Sequence, residues 1–357
     1  MRIVLTGATG FLGGHLLPVL SAAGHECLAF TRFPPGCKDL ATIPRVTIRR
    51  GDIFDTDWLA RQLQGADAVV NMVGILNEKG RSGEGFRRAH VTLTEQIIDA
   101  CREAGVKRLI QVSALGAGEG SSHYLVSKGE AERRIREAGD LDSTIFQPSV
   151  IFGRGDAFFN RFAGLIRAAP VLPLACPDAL MQPVWAGDVA EGIKRSLDQP
   201  WTVGETLTAV GPDVFTLREL VELTARTAGL KTRIVNLPDG VARAQAAVMD
   251  FVPGKPFSTD NYRSLQTPNT SDDNGLLRLG IKPRSICSIV PSYLAKSARQ
   301  SRLDKCRKAG RWSRRRPAAP GWVRRAQRAA PEGASADGMP SSAAAFRRSR
   351  EQGSETP

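Results

Sequence analysis

No CxxC pair, no cysteine and histidine at metal-ligand spacing and no apolar run long enough to span a bilayer occur in this chain. Its six cysteines (Cys27, Cys37, Cys101, Cys176, Cys287 and Cys306) are scattered along 357 residues, with only four histidines beside them. That scatter argues against a disulfide framework and against a zinc site, and fits a reducing compartment. A transmembrane helix needs about 20 consecutive apolar residues, so no such span is expected. No secretory leader is expected either, because the sequence enters a strand pattern at Arg2. Internal repeats are also missing. These absences lead to the expectation of a cytoplasmic, soluble protein.

The formal charge of +13 is unevenly placed. From Lys296 onward there are 16 Lys and Arg against 5 Asp and Glu, whereas residues 1–295 hold 33 basic and 31 acidic groups. The body is nearly neutral and the basicity belongs to a tail. From about Trp312 the composition turns to Arg, Ala, Pro, Ser and Gly with little apolar periodicity, which reads as disorder. Charge alone would let such a tail bind RNA or anionic lipid. Solvated disorder explains it more simply, and no specific nucleic-acid partner is expected.

Residues 1–150 alternate short apolar runs with helical patterns. Arg2–Leu5, Glu26–Phe30, Val46–Arg49, Ala68–Met72, Arg108–Val112 and Ser143–Phe146 read as strands. Phe11–Ala23, Asp57–Gln64, Phe86–Ala104 and Tyr124–Glu137 read as helices. That alternation predicts an α/β, doubly wound parallel sheet of the Rossmann type. Residues 151–311 read as the remaining sheet edge and a smaller C-terminal substrate lobe. Helical stretches are expected there near Ala157–Ala168, Asp188–Leu197, Thr216–Ala228 and Gly240–Met249. Residues 312–357 form the basic tail.

Gly7, Gly10 and Gly13 form a G-x-x-G-x-x-G run between the first strand and the first helix. Such a turn needs positive φ, bare backbone against a pyrophosphate, and close packing of helix on strand. The helix start offers free N–H groups and a positive dipole end to the anion. Thr9, Phe11 and Leu12 complete this cradle. The second strand ends in Phe30-Thr31-Arg32, with Lys38 beyond and no carboxylate at its end. Arg32 therefore favours NADP(H), with NAD(H) as the alternative, since an acidic residue there would take the ribose 2′-OH of NAD. Asp52 and Ile53 after the third strand, Val73 and Gly74 after the fourth, and Pro148 at the end of the sixth are the other cofactor-binding candidates. Asp52 reads equally well as an acceptor for the adenine amino group or as a turn residue.

Tyr124 and Lys128 lie four apart and share a helix face. Ser113 closes the fifth strand at the carboxyl edge, where doubly wound sheets place their chemistry. An ammonium and an oxidised nicotinamide would favour the Tyr124 phenolate, Lys128 would also reach the nicotinamide ribose, and Ser113 would hold a substrate carbonyl.

With Thr6-Gly7-x-x-Gly10-x-x-Gly13 and this Tyr-x-x-x-Lys, the chain resembles the short-chain dehydrogenase/reductase superfamily in its extended or atypical branch. Val112–Ala117, Tyr124–Glu130, Pro148–Asp156, Gln182–Ala190 and Val290–Leu294 are similar to bacterial relatives of the nucleotide-binding accessory subunit of respiratory complex I. The resemblance runs from Met1 to Arg311. It implies a Rossmann domain with a small lobe and bound NADP(H), with respiratory-complex or peripheral membrane association, at the inner face, as a further expectation. Gln147 departs from it, standing where these relatives usually have Arg.

Two functions follow. One is an NADP(H)-dependent oxidoreductase or epimerase/dehydratase-like enzyme acting on a small molecule with Tyr124 as acid–base. The alternative is a non-catalytic, nucleotide-bound structural or assembly factor associated with complex I or quinone metabolism. Several other residues have plain structural readings. Asp188 is expected as the N-cap of Val189–Leu197, Asn71 as a turn former, and Trp185 as core. Phe158, Phe159 and Phe162 read as core rather than a quinone pocket, and Arg154–Asp156 as a loop.

Overall fold

The computed structural model describes residues 1–32, 40–169, 171–252 and 255–295, which lie within one unit, Met1–Lys296. Cys37, Lys38, Cys306 and the basic tail fall outside the described residues.

The chain runs β1 (Arg2–Thr6), α1 (Phe11–Ala22), β2 (Glu26–Thr31), β3 (Val46–Arg50), α2 (Thr56–Leu63), β4 (Ala68–Asn71) and α3 (Glu84–Arg87). It continues through α4 (Leu93–Ala104), β5 (Arg108–Val112), α5 (His123–Glu137), β6 (Asp142–Pro148), β7 (Ile151–Phe152), α6 (Phe158–Ala168), β8 (Val171–Leu174), β9 (Leu180–Met181), β10 (Val184–Trp185) and α7 (Ala186–Asp198). Last come β11 (Thr206–Ala209), β12 (Phe215–Thr216), α8 (Leu217–Thr227), β13 (Arg233–Asn236), α9 (Asp239–Met249), α10 (Thr259–Ser264), α11 (Gly275–Arg278) and α12 (Ile286–Leu294).

Seven parallel strands lie in the order β11-β6-β5-β4-β1-β2-β3. The strand order reverses beside β1, as in a doubly wound sheet, and that switch point is where such folds bind ligands. Ile3–Thr6 and Ala68–Asn71 are buried throughout, as expected for parallel strands covered on both faces. Leu12, Leu16, Leu17 and Leu20 of α1 join Val189, Ile193 and Leu197 of α7 in one core layer. Leu59 and Leu63 of α2, Leu93 and Ile97 of α4 and Ile135 of α5 form the opposite layer. The lobe has a third core from α6, α8 and α12, in which Phe159 is fully buried and Phe158 and Phe162 pack against it.

The helix expected over Phe86–Ala104 is interrupted: Arg88–Thr92 is a π-helical turn between α3 and α4. Asp188 is not an N-cap. Helix α7 begins two residues earlier, at Ala186, and the buried Asp188 carboxylate instead accepts from the Arg284 N–H at 2.7 Å. Trp185 is half-buried, with the Arg284 guanidinium 4.5 Å above its ring. Arg154–Asp156 is a loop, yet Asp156 is buried and accepts from the Gly153 and Phe159 N–H groups and the Tyr293 hydroxyl.

Candidate active site

The turn from β1 into α1 lies hard against the end of β4. Gly7 has φ of +72°, and a Cβ there would sit 2.8 Å from the Met72 carbonyl carbon and the Val73 nitrogen. A Cβ on Gly13 would come within 2.1 Å of the Ala8 carbonyl oxygen. Both positions therefore require glycine, for conformation at one and close approach at the other. Gly10 is the α1 N-cap and supplies no side-chain cap, so the first-turn N–H groups stay available to an anion. Thr9 is exposed, Phe11 is half-buried and Leu12 anchors the turn in the core.

Arg32 is exposed just past β2. The β2–β3 register pairs Thr31 with Arg50, an exposed residue that the sequence reading passed over, so two arginines end neighbouring strands. Asp52 accepts from the Phe54 N–H at 3.0 Å, the turn role anticipated for it, and Ile53 packs on the core layer below. These features fit the adenosine end of a nucleotide.

At the other end, Thr6, Asn71 and Gln111 occupy one register row across β1, β4 and β5. The Thr6 hydroxyl donates to Asn71 Oδ1 at 2.7 Å, and Asn71 Nδ2 donates to Gln111 Oε1 at 2.9 Å. Asn71 Oδ1 also accepts from the Val73 N–H at 3.1 Å, which shapes the Val73–Gly74 turn.

Lys128 is buried, and its Nζ donates to the carbonyls of Val112 at 3.1 Å and Val73 at 3.5 Å. A Cβ on Gly74 would lie 3.4 Å from that Nζ. Burial lowers the Lys128 pKa to about 8, with the Glu132 charge acting in the opposite sense. Ser113 follows Val112; its N–H donates to the Phe146 carbonyl at 2.7 Å, but its buried Oγ has no hydrogen-bond partner. A buried hydroxyl left unpaired costs about 1–3 kcal/mol. Pro148 ends β6 alongside, its carbonyl accepting from the Leu115 N–H.

Tyr124 is half-buried near the start of α5, with its ring edge-on to Phe86 at 6.1 Å and to His90 at 5.6 Å. Burial pushes its phenol up to about 12, whereas the sequence reading expected a cation to pull it down. In this structure the phenol is the stable form. No hydrogen bond joins Ser113, Tyr124 and Lys128.

Three residues that the sequence did not flag hold this arrangement. His90, in the π-helical turn, is buried and accepts from the Ile75 N–H at its Nε2, at 3.2 Å. Because a backbone N–H can only donate, Nδ1 carries the proton and donates to Ser127 Oγ at 2.8 Å, and Ser127 Oγ donates to the Tyr124 carbonyl at 2.9 Å. Burial, with Lys128 adding to it, pushes the His90 pKa down to about 2, so the ring is neutral. Glu132 is buried one turn after Lys128 and accepts from Arg136 and from Gln147 Nε2 at 2.8 Å. Gln147 therefore contributes a neutral donor to a buried carboxylate. Asp260, on α10 of the lobe, accepts from the His123 N–H at 2.6 Å and the Tyr124 N–H at 3.2 Å.

A cavity of about 150 Å³ is walled by Asn77, Phe86, His123, Asp250, Asp260 and Arg263. Asn77 Oδ1 has no hydrogen-bond partner. The cavity lies between the loop after β4, the start of α5 and the α9–α10 part of the lobe.

Comparison with known proteins agrees with a nucleotide-binding fold. The profile of the NAD(P)H-binding family matches residues 7–155. The chain is 31% identical to the Arabidopsis thaliana mitochondrial NADH dehydrogenase [ubiquinone] 1 alpha subcomplex subunit 9, over 76% of this chain and 71% of that protein. It is 32% identical to the ceramide reductase of Caulobacter vibrioides, over 69% of this chain and 77% of that protein. Among solved structures, a dTDP-glucose 4,6-dehydratase of Streptomyces venezuelae with NAD bound superposes with a TM-score of 0.66 at 22% identity. That match covers 82% of this chain and 96% of the dehydratase, and speaks for the fold.

Proposed function

The chain belongs to the atypical NAD(P)H-binding branch of the short-chain dehydrogenase/reductase superfamily, and from that premise we propose that it is an NADP(H)-dependent oxidoreductase that reduces a carbonyl substrate. The observation that carries this reading is the buried, unpartnered Ser113 Oγ, one residue beyond the Val112 carbonyl that holds Lys128. A hydroxyl kept dry and unpaired at the carboxyl edge of the sheet is a donor awaiting an acceptor, and a substrate carbonyl oxygen supplies one.

The α1 N-terminus and Gly7, Gly10 and Gly13 would hold the pyrophosphate, while Arg32 and Arg50 would face a ribose 2′-phosphate. When bound, NADPH supplies a hydride to the carbonyl carbon. Tyr124, a phenol at neutral pH, donates its proton to the oxygen that gains charge, and Ser113 Oγ donates a hydrogen bond to the same oxygen. Lys128, lying one helical turn from Tyr124, stabilises the phenolate left behind. His90, acting through Ser127, and Asp260 hold the backbone at Tyr124.

The relative named as a complex I subunit, 31% identical over most of its length, favours a second reading. In it the nucleotide is bound and never turned over, and the chain associates with a respiratory complex. No helix among the described residues is long and apolar enough to cross a membrane, so such association would be peripheral. The experiment that separates the readings is to denature the purified protein, identify any released nucleotide by mass spectrometry, and measure exchange of the native protein with added NADPH and NADH. Rapid exchange with NADPH supports the enzyme. A nucleotide that co-purifies and does not exchange supports the structural role, and preference for NADH would count against the assignment of Arg32.

A further inference from the structure

Tyr124, Lys128, Glu132 and Arg136 follow one another at four-residue steps along α5 and so share one face of that helix. The stripe runs from the protein interior to solvent. Lys128 and Glu132 are 3% and 2% exposed, whereas the Arg136 side chain is 52% exposed. Buried charges are seldom kept for stability, since apolar residues of similar volume do as well or better. Two of them one turn apart call for a role.

The Lys128 Nζ donates to the Val112 and Val73 carbonyls, which carry no net charge. Its other neighbours are neutral as well. His90, which with Lys128 flanks Gly74, is unprotonated, and Tyr124 is a phenol. The compensating charge comes from Glu132, which opposes the lowering of the Lys128 pKa by burial.

Gln147 of β6 decides how much of that charge reaches Lys128. Its Nε2 donates to both Glu132 oxygens, at 2.8 and 3.0 Å, and the Arg136 guanidinium donates to Oε2 at 2.7 Å. Among the described residues Arg136 is the one cation paired with this carboxylate, and it stands half in solvent, where its field is screened. A cation in place of Gln147 would sit beside Glu132 away from solvent and cancel the charge that Lys128 feels.

We propose that Glu132 is a positioning residue that keeps the buried Lys128 ammonium charged, and that neutral Gln147 preserves this effect by holding the carboxylate without cancelling it. Its use in catalysis rests on Lys128 serving Tyr124 as proposed above, but the Lys128 charge can be read without turnover.

The test is carbon-13 NMR titration of the full chain labelled at lysine Cε, with the Lys128 signal assigned by its loss in Lys128→Met. The wild-type signal should titrate at about pH 8. In Glu132→Gln the inflection should fall by about one pH unit or more. In Gln147→Arg, which keeps the carboxylate and a donor to it, the inflection should fall too. Circular dichroism reports whether each variant is folded, and if Glu132→Gln is not, Gln147→Arg decides alone. An inflection left in place by Gln147→Arg, or by a folded Glu132→Gln, would overturn the proposal. So would a wild-type Lys128 that titrates near the ordinary lysine value of about 10.4. Where carbonyl-dependent turnover is found, its alkaline limit should move down with the inflection in both variants, and an unmoved limit would overturn the link to catalysis. Absence of turnover would count against the role of Tyr124 and would not alter the titration.

Discussion

Asp260 and Tyr124 are 136 residues apart, yet the Asp260 carboxylate accepts the Tyr124 backbone N–H at 3.2 Å and that of the preceding His123 at 2.6 Å. A residue of the small lobe thus caps the helix that carries the candidate acid–base. Ser122 adds an ordinary local cap, its Oγ accepting from the Leu125 N–H. The lobe and the Rossmann core are joined at the residue on which the proposed chemistry depends.

Asp260→Ala removes a cap with two hydrogen bonds. Losing an N-cap costs about 1 kcal/mol, so the chemical-denaturation midpoint should fall by a corresponding amount. NADPH affinity should be unchanged, because Asp260 makes no contact with the Gly7–Gly13 cradle. An unchanged midpoint would mean that Ser122 alone suffices.

Gly7→Ala forces a Cβ to within 2.8 Å of backbone at Met72 and Val73 and places alanine at a φ of +72°. Strain of this kind costs about 1–3 kcal/mol. Titration calorimetry should show NADPH binding weakened by about tenfold or more. Wild-type affinity in this variant would show that the turn does not approach the nucleotide.

Arg32→Ser removes the arginine just past β2, leaving Arg50 at the end of β3. A hydrogen bond to a charged group is worth about 1.5–3 kcal/mol, so NADPH should bind about tenfold or more weakly and NADH as before. Equal losses for both cofactors would contradict a 2′-phosphate role.

Burial holds His90 neutral, its pKa pushed down to about 2. Below the ordinary histidine pKa of about 6.5 the unfolded chain takes up a proton that the folded chain refuses. Stability should therefore fall as pH drops below that value, before most carboxylates titrate. His25 is shifted the same way by its own burial, so in His90→Gln the thermal midpoint should lose much of this acid dependence, not all of it. A variant as acid-sensitive as the wild type would contradict the assignment.

The parallel sheet and the cradle were legible because each carries a local signature: apolar runs buried on both faces, and glycines at positions where geometry admits nothing larger. The placing of Tyr124 and Lys128 one turn apart on α5 was legible because four residues make about one helical turn. His90 was not, since its place depends on a π-helical turn that apolar periodicity does not reveal. Asp260 escaped because a cap supplied from 136 residues away leaves no local pattern. Asp188 was misread because its helix starts two residues earlier, at Ala186. The helical pattern at Gly240–Met249 gave α9 its span but not its direction, since Val241 and Val248 pointing outward look like core residues in sequence alone.

The most direct test of the central claim follows NADPH oxidation on addition of carbonyl compounds, in the wild type and in Tyr124→Phe. The substitution keeps the ring against Phe86 and His90 and removes only the hydroxyl. The account predicts carbonyl-dependent oxidation by the wild type and a loss of about a hundredfold or more in the variant, the usual contribution of a positioned acid. Turnover that survives unchanged in Tyr124→Phe would contradict the role of Tyr124, and tightly held nucleotide with no carbonyl-dependent oxidation across ketone, aldehyde and quinone substrates would favour the structural reading instead.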